Sequence, residues 1–199
     1  MKKIFFLYVL LTLSISSFAQ VNLQSLVKPG TKLIYAVEAN EEKYDFIVTV
    51  KALLPALVFD WEMTNGSKGT ITHTQQAMIS ANTMYNYFKP GEKTLDDNSI
   101  SVWLSKNVFR ALGKEGAMIK MNTGEAERKM GTNAGTSEFS ILVNGEKETI
   151  EEEVAKELNK EGNPTGSEDF FSFYNSFKLP IILRMKNGFY IALKEVRTK

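Results

Sequence analysis

The sequence predicts a mainly β protein: one large curved antiparallel sheet, an open half-barrel, with one or two short helices packed on it. Three observations carry this. Short stretches of β-branched and aromatic residues are separated by Gly, Pro and Asn along most of the chain. Several alternate with period two, Leu57 to Met63 most clearly, where Phe59, Trp61 and Met63 take one face and Asp60 and Glu62 the other. A single sheet of so many strands must twist and curl.

The elements follow in order. Lys2 and Lys3 precede an apolar run from Ile4 to Leu13, and Ser17-Phe18-Ala19 puts small residues where a signal peptidase reads. The run is shorter than the roughly 20 residues that cross a bilayer. Residues 1–19 therefore read as a cleaved secretory signal, and residues 20–199 as a single β-rich domain in the periplasm or outside the cell, with no transmembrane segment in the mature chain. Lys28-Pro29-Gly30 is a turn that releases a strand from Lys32 to Ala39, with Leu33, Tyr35 and Val37 on one face. A second strand runs from Tyr44 to Leu54 with Phe46, Val48 and Val50 together, and Leu57 to Met63 is the third. After Asn65-Gly66, strands are expected over Gly69 to Met78 and Thr83 to Phe88, closed by Lys89-Pro90-Gly91.

Ser105 to Gly116 breaks the texture. Ser105 suits an N-cap, and Val108, Phe109 and Leu112 recur at helical spacing, so a helix is expected on the concave side of the sheet. Strands resume at Ala117 to Asn122 and Glu138 to Val143, with Thr123 to Ser137 a loop or weakly paired strand. Asn144-Gly145 predicts a hairpin return into Glu146 to Ile150. Beyond it, Ile150, Val154 and Leu158 fit a helical stripe and alternate strand positions equally; a polar helical or irregular segment is expected over 151–160.

The last hairpin is set by burial. A three-residue loop, Lys186-Asn187-Gly188, pairs Met185 with Phe189 and Leu183 with Ile191. That brings Ile181, Leu183, Met185, Phe189, Ile191 and Leu193 to one face, whereas a one-residue slip would split them.

Composition narrows the function. Without its leader the chain has 22 basic and 23 acidic residues, which argues against a nucleic-acid partner and against electrostatic membrane docking. Cysteine is absent and His73 is the only histidine. Cys/His zinc clusters and Cys-His nucleophile pairs are thereby excluded, and nothing in the sequence implies a cofactor or metal. His73 reads as a half-buried polar residue on a strand. Asp60 and Glu62 lie two apart, about 6.6 Å between Cα atoms and on one face, compatible with the carboxylate pair of a carbohydrate-active hydrolase. Alternating acids opposite Phe59 and Trp61 are equally what a solvated strand face looks like. Asp96-Asp97-Asn98 lacks the ladder that wraps calcium and reads as a turn. Tyr85, Tyr87 and Phe88, with the group Phe170, Phe171, Phe173, Tyr174 and Phe177, are patches that pack a core or line a cleft.

Several segments carry a resemblance: Lys28 to Tyr35, Phe59-Asp60-Trp61-Glu62-Met63, Phe88 to Lys93, Trp103 to Lys106, Pro180 to Met185 and Leu193 to Val196. Together they resemble uncharacterised exported proteins of Bacteroidetes-type bacteria. The strand order is more distantly similar to the curved half-barrels of periplasmic lipoprotein carriers. That likeness implies an apolar concave face that holds acyl chains, and it transfers no site residue.

The leading expectation is a non-enzymatic envelope protein that holds an apolar or amphipathic ligand on the curved sheet, its partner a lipid or a lipid-anchored protein. Phe59, Trp61, Met63, Val108, Phe109 and Leu112 are the expected lining. If the Ser105 helix fills the hollow, a structural or interaction module is expected instead; an apolar cavity of at least ~300 Å³ separates the two.

Overall fold

The computed structural model describes residues 21–114 and 116–199; the leader expected over residues 1–19 lies outside the described residues. The protein is mainly β. A short helix, α1 (Leu23–Leu26), begins where the Asn22 side chain accepts the Gln24 N–H. Lys28-Pro29-Gly30 then turns the chain into β1 (Lys32–Ala39). The chain returns through Asn40-Glu41, both left-handed at φ 50° and 66°. This two-residue turn has the twist that antiparallel neighbours need, and it pairs Ala39 with Glu42 in β2 (Glu42–Ala52). β3 (Leu57–Met63) and β4 (Lys68–His73) extend the same ladder. Alternation is obeyed: Leu33, Tyr35, Phe46, Val48, Val50, Phe59 and Trp61 are buried, while Glu62 is exposed and Asp60 only partly covered.

The strand expected over Gly69 to Met78 ends early. Thr74 caps α2 (Gln75–Ser80) by accepting the Ala77 N–H at 3.0 Å. The alternating threonines 70, 72 and 74 mimic a strand, but the last of them is a cap. Thr83 to Phe88 also shrinks, to β5 (Thr83–Met84), followed by irregular chain. β6 (Gly91–Thr94) and β7 (Ser99–Ile100) are short. The expected helix forms as α3 (Lys106–Leu112), with the Ser105 hydroxyl accepting the Val108 N–H.

The second half holds the largest departures. β8 (Ile119–Asn122) leads into β9 (Glu127–Val143), so most of Thr123 to Ser137, expected as loop or weakly paired strand, is strand. Asn144-Gly145, both at positive φ, pairs Val143 with Glu146. β10 then runs unbroken from Glu146 to Glu157, so the expected helical or irregular segment after Ile150 is strand too. β11 (Phe170–Tyr174), β12 (Ile182–Lys186) and β13 (Tyr190–Arg197) complete the chain. The last hairpin keeps its expected facing but slides by two residues. Met185 pairs with Ile191 rather than Phe189, and the loop is Asn187-Gly188-Phe189. Asn187 is buried there and donates from Nδ2 to the Thr123 carbonyl at 2.9 Å, a tertiary tie that draws it out of the ladder.

The sheet is not an open half-barrel. Its order is β6-β4-β3-β2-β1-β13-β12-β11-β10-β9-β8-β5-β7. β1 occupies one edge of β13 from end to end. The other edge is shared, by β12 at Tyr190 to Ala192 and by β9, in parallel, at Glu195 and Val196. β9 to β13 therefore close into a five-stranded barrel with the remaining strands attached. Closure is possible because β9, 17 residues long, pairs with β8 at its start and still reaches β13 at its end. It also pairs edges that an open sheet would leave bare.

Two cores result. The larger joins the β1–β4 face to Ile141, Ile150, Leu183, Leu193 and Val196. The smaller gathers Val108 and Leu112 of α3 with Met121, Met130, Phe171, Phe173, Ile182 and Met185. The helix expected to share a hollow with Phe59 and Trp61 instead belongs to this second core.

Candidate functional site

Where the two cores meet, their side chains do not close. A cavity of about 350 Å³ lies in the seam. Tyr35, Val37 and Phe46 come from the larger core, Met84, Ile182 and Met185 from the smaller, and Ile191 packs against both. Tyr44, Met63, Tyr87, Phe88 and Phe189 complete a largely apolar and aromatic wall, and Tyr87 is 61% exposed. Polar groups are few: Asn40, Asn86, Ser101 and Glu125.

The wall is built with care at Ser101-Val102. Val102 has φ 65°, a left-handed conformation that a β-branched residue adopts only at a cost of about 1–3 kcal/mol. Its neighbours over-determine it. The Val102 carbonyl accepts the Ile182 N–H at 2.7 Å, the Leu104 N–H reaches the Pro180 carbonyl at 2.8 Å, and the Tyr85 N–H reaches the Ile100 carbonyl at 2.8 Å. The Ser101 N–H donates to His73 Nε2 at 2.9 Å.

His73 is fully buried, not half-buried, and stacks near Phe59 at 5.6 Å between ring centroids. Because Nε2 accepts a hydrogen bond, the proton of the neutral ring is on Nδ1. Burial pulls its pKa down to about 4, against the opposing effect of a backbone hydrogen bond with Leu57. His73 is thus a neutral strut behind the wall. Tyr35 is equally inert: its hydroxyl donates to the Ile182 carbonyl at 2.9 Å, and burial pushes its pKa up. Tyr44 is raised too, by burial first and by Glu42 second, so both phenols stay neutral.

Of the six residues expected to line a site, Met63 does. Phe59 and Trp61 are fully buried in the larger core, Trp61 one layer behind the wall with its ring 5.3 Å from that of Phe88. Val108 and Leu112 are buried in the smaller core, and Phe109 packs on Phe173 at 5.7 Å. Asp60 and Glu62 border a groove with Trp61, Lys68 and Thr70 on the outer side of the sheet edge. There Asp60 accepts from the Thr70 hydroxyl at 2.8 Å and pairs with Lys51 at 3.1 Å. Among the described residues, no three potential metal ligands come together, and no helix is long and apolar enough to cross a membrane.

The wall residues that sequence reasoning missed, Tyr44, Met84, Met185 and Phe189 among them, come from separate segments. The aromatic run at Tyr85, Tyr87 and Phe88 was the signal that pointed to it. No family model, curated protein or solved structure matches the chain.

Proposed function

We propose that the protein is exported and binds an apolar or amphipathic, lipid-like ligand in the seam between its two cores, without catalysing a reaction. The single observation that supports this most is the cavity itself. At about 350 Å³ it passes the lower bound of small-molecule sites, and aromatic and methionine side chains dominate its wall. A strained, over-determined segment at Val102 is the kind of feature that persists where a wall must keep its shape. The polar groups are few, which suits an apolar body with one polar end.

The test is titration with N-phenyl-1-naphthylamine, a neutral apolar dye that brightens when it leaves water. The reading expects saturable binding of one dye per chain. Ala39→Trp, which fills the cavity from the end of β1, should abolish it while leaving the circular dichroism spectrum unchanged. Absence of saturable binding to the folded wild-type protein would reject the ligand reading and leave the interaction module.

A further inference from the structure

We infer that the ligand held in this seam carries a positively charged head, an alkylammonium-type group, and not a carboxylate or phosphate; this rests on the reading of the cavity as a ligand site. Among the described residues, Glu125 is the only charged one that lines the cavity. No lysine, arginine or histidine of the described residues joins it there. An anionic head would therefore enter without a counter-charge, whereas a cation would meet both a carboxylate and aromatic faces.

The loop that carries Glu125, an exposed residue, is fastened to the cavity wall. The Thr123 carbonyl, at the base of the turn between β8 and β9, accepts from Asn86 Nδ2 at 2.7 Å and Asn187 Nδ2 at 2.9 Å. One backbone oxygen thus fastens the loop to two walls of the cavity at once, the segment after β5 and the last hairpin. The Gly124 N–H donates to Asn122 Oδ1 at 2.8 Å and tightens the turn. Glu125 then lies directly against Gly188, in space that any Cβ there would occupy. Gly188 is also left-handed at φ 67°, the conformation for which the turn requires a glycine.

Nearby cations are already engaged. Lys43 pairs with Glu38 at 2.8 Å, Lys194 with Asp45 at 2.7 Å, and Lys93 sits over the Tyr85 ring at 4.6 Å. Glu125 makes no ion pair among the described residues. Lys89 is exposed beside Phe88 in the chain and does not line the cavity. The charge left facing the apolar space is negative.

Three probes with the same decyl chain test this: decyltrimethylammonium and decanoate, each titrated calorimetrically below its micelle concentration, and decanol, titrated below its solubility limit. The expected order is ammonium, then alcohol, then carboxylate, with about fivefold between the first two, the size that an exposed charge and aromatic faces supply. Glu125→Gln should bring the ammonium down to the alcohol and leave the alcohol unchanged. High salt should narrow the gap in the wild-type protein. Equal binding of the three, a preference for decanoate, or a preference that survives Glu125→Gln would overturn the cationic head while leaving the cavity as a site. If none of the three binds, the cavity reading itself fails.

Discussion

Acidification should weaken the fold through one residue. His73 is fully buried with Nε2 accepting the Ser101 N–H, and burial lowers its pKa from the ordinary 6.5 to about 4. The unfolded chain binds this proton at pH 6.5 and the folded one resists it until about pH 4. The stability that His73 contributes is therefore complete above pH 6.5 and is lost progressively as pH falls through 4. At about 1.4 kcal/mol for each tenfold change in proton affinity, the loss approaches about 3 kcal/mol. Urea denaturation at steps between pH 7.5 and 4 measures it, with His73→Gln as the reference. Glutamine keeps an acceptor for Ser101 but does not titrate, and the carboxylates of the two proteins are the same, so the difference between their pH slopes isolates the histidine. Because the chain has one histidine, its ring proton resonance needs no assignment and should show no inflection above pH 5. Identical slopes for the two proteins, or a ring that titrates near 6.5 in the folded state, would refute the buried neutral strut.

Other substitutions test the packing. Glu152 is almost wholly buried and is met by Arg184, whose guanidinium lies over the Phe139 ring at 5.0 Å, and by the Ser137 hydroxyl at 2.9 Å. Arg184→Met should cost about 3–5 kcal/mol by stranding that carboxylate, and adding Glu152→Met should recover much of the loss in the same urea assay. Ser105→Ala removes the cap of α3 and should cost about 1 kcal/mol, read as a lowered melting temperature.

Much of this fold is legible in the sequence where one face is dry and the other wet. The β1–β4 ladder is of that kind, and Phe59, Trp61, Asp60 and Glu62 separate as period two demands. Ser105 and the stripe of Val108 and Leu112 specify α3 by local chemistry alone. The start of β9 and the end of β10 were obscured because their buried positions include Glu152, which composition assigns to water until Arg184, 32 residues away, is brought beside it. The closure of the barrel depends on a parallel pairing of Glu195 and Val196 with Leu142 and Val143, which no periodicity encodes. The site was missed for a related reason. Reading all apolar faces into one hollow leaves no seam, and the cavity exists only because α3 and Phe171, Phe173 and Met185 form a core of their own.

The proposed ligand would occupy the cavity between the two cores, where methionine methyl groups report on it directly. Met63, Met84 and Met185 line the cavity, Met121 and Met130 lie in the smaller core, and Met118 is exposed. In a carbon-13 methyl titration with decanol, the first three resonances should move together and saturate at one equivalent while Met118, Met121 and Met130 hold still. Shifts confined to Met118, or none at all while the protein remains folded, would contradict a binding site in the seam.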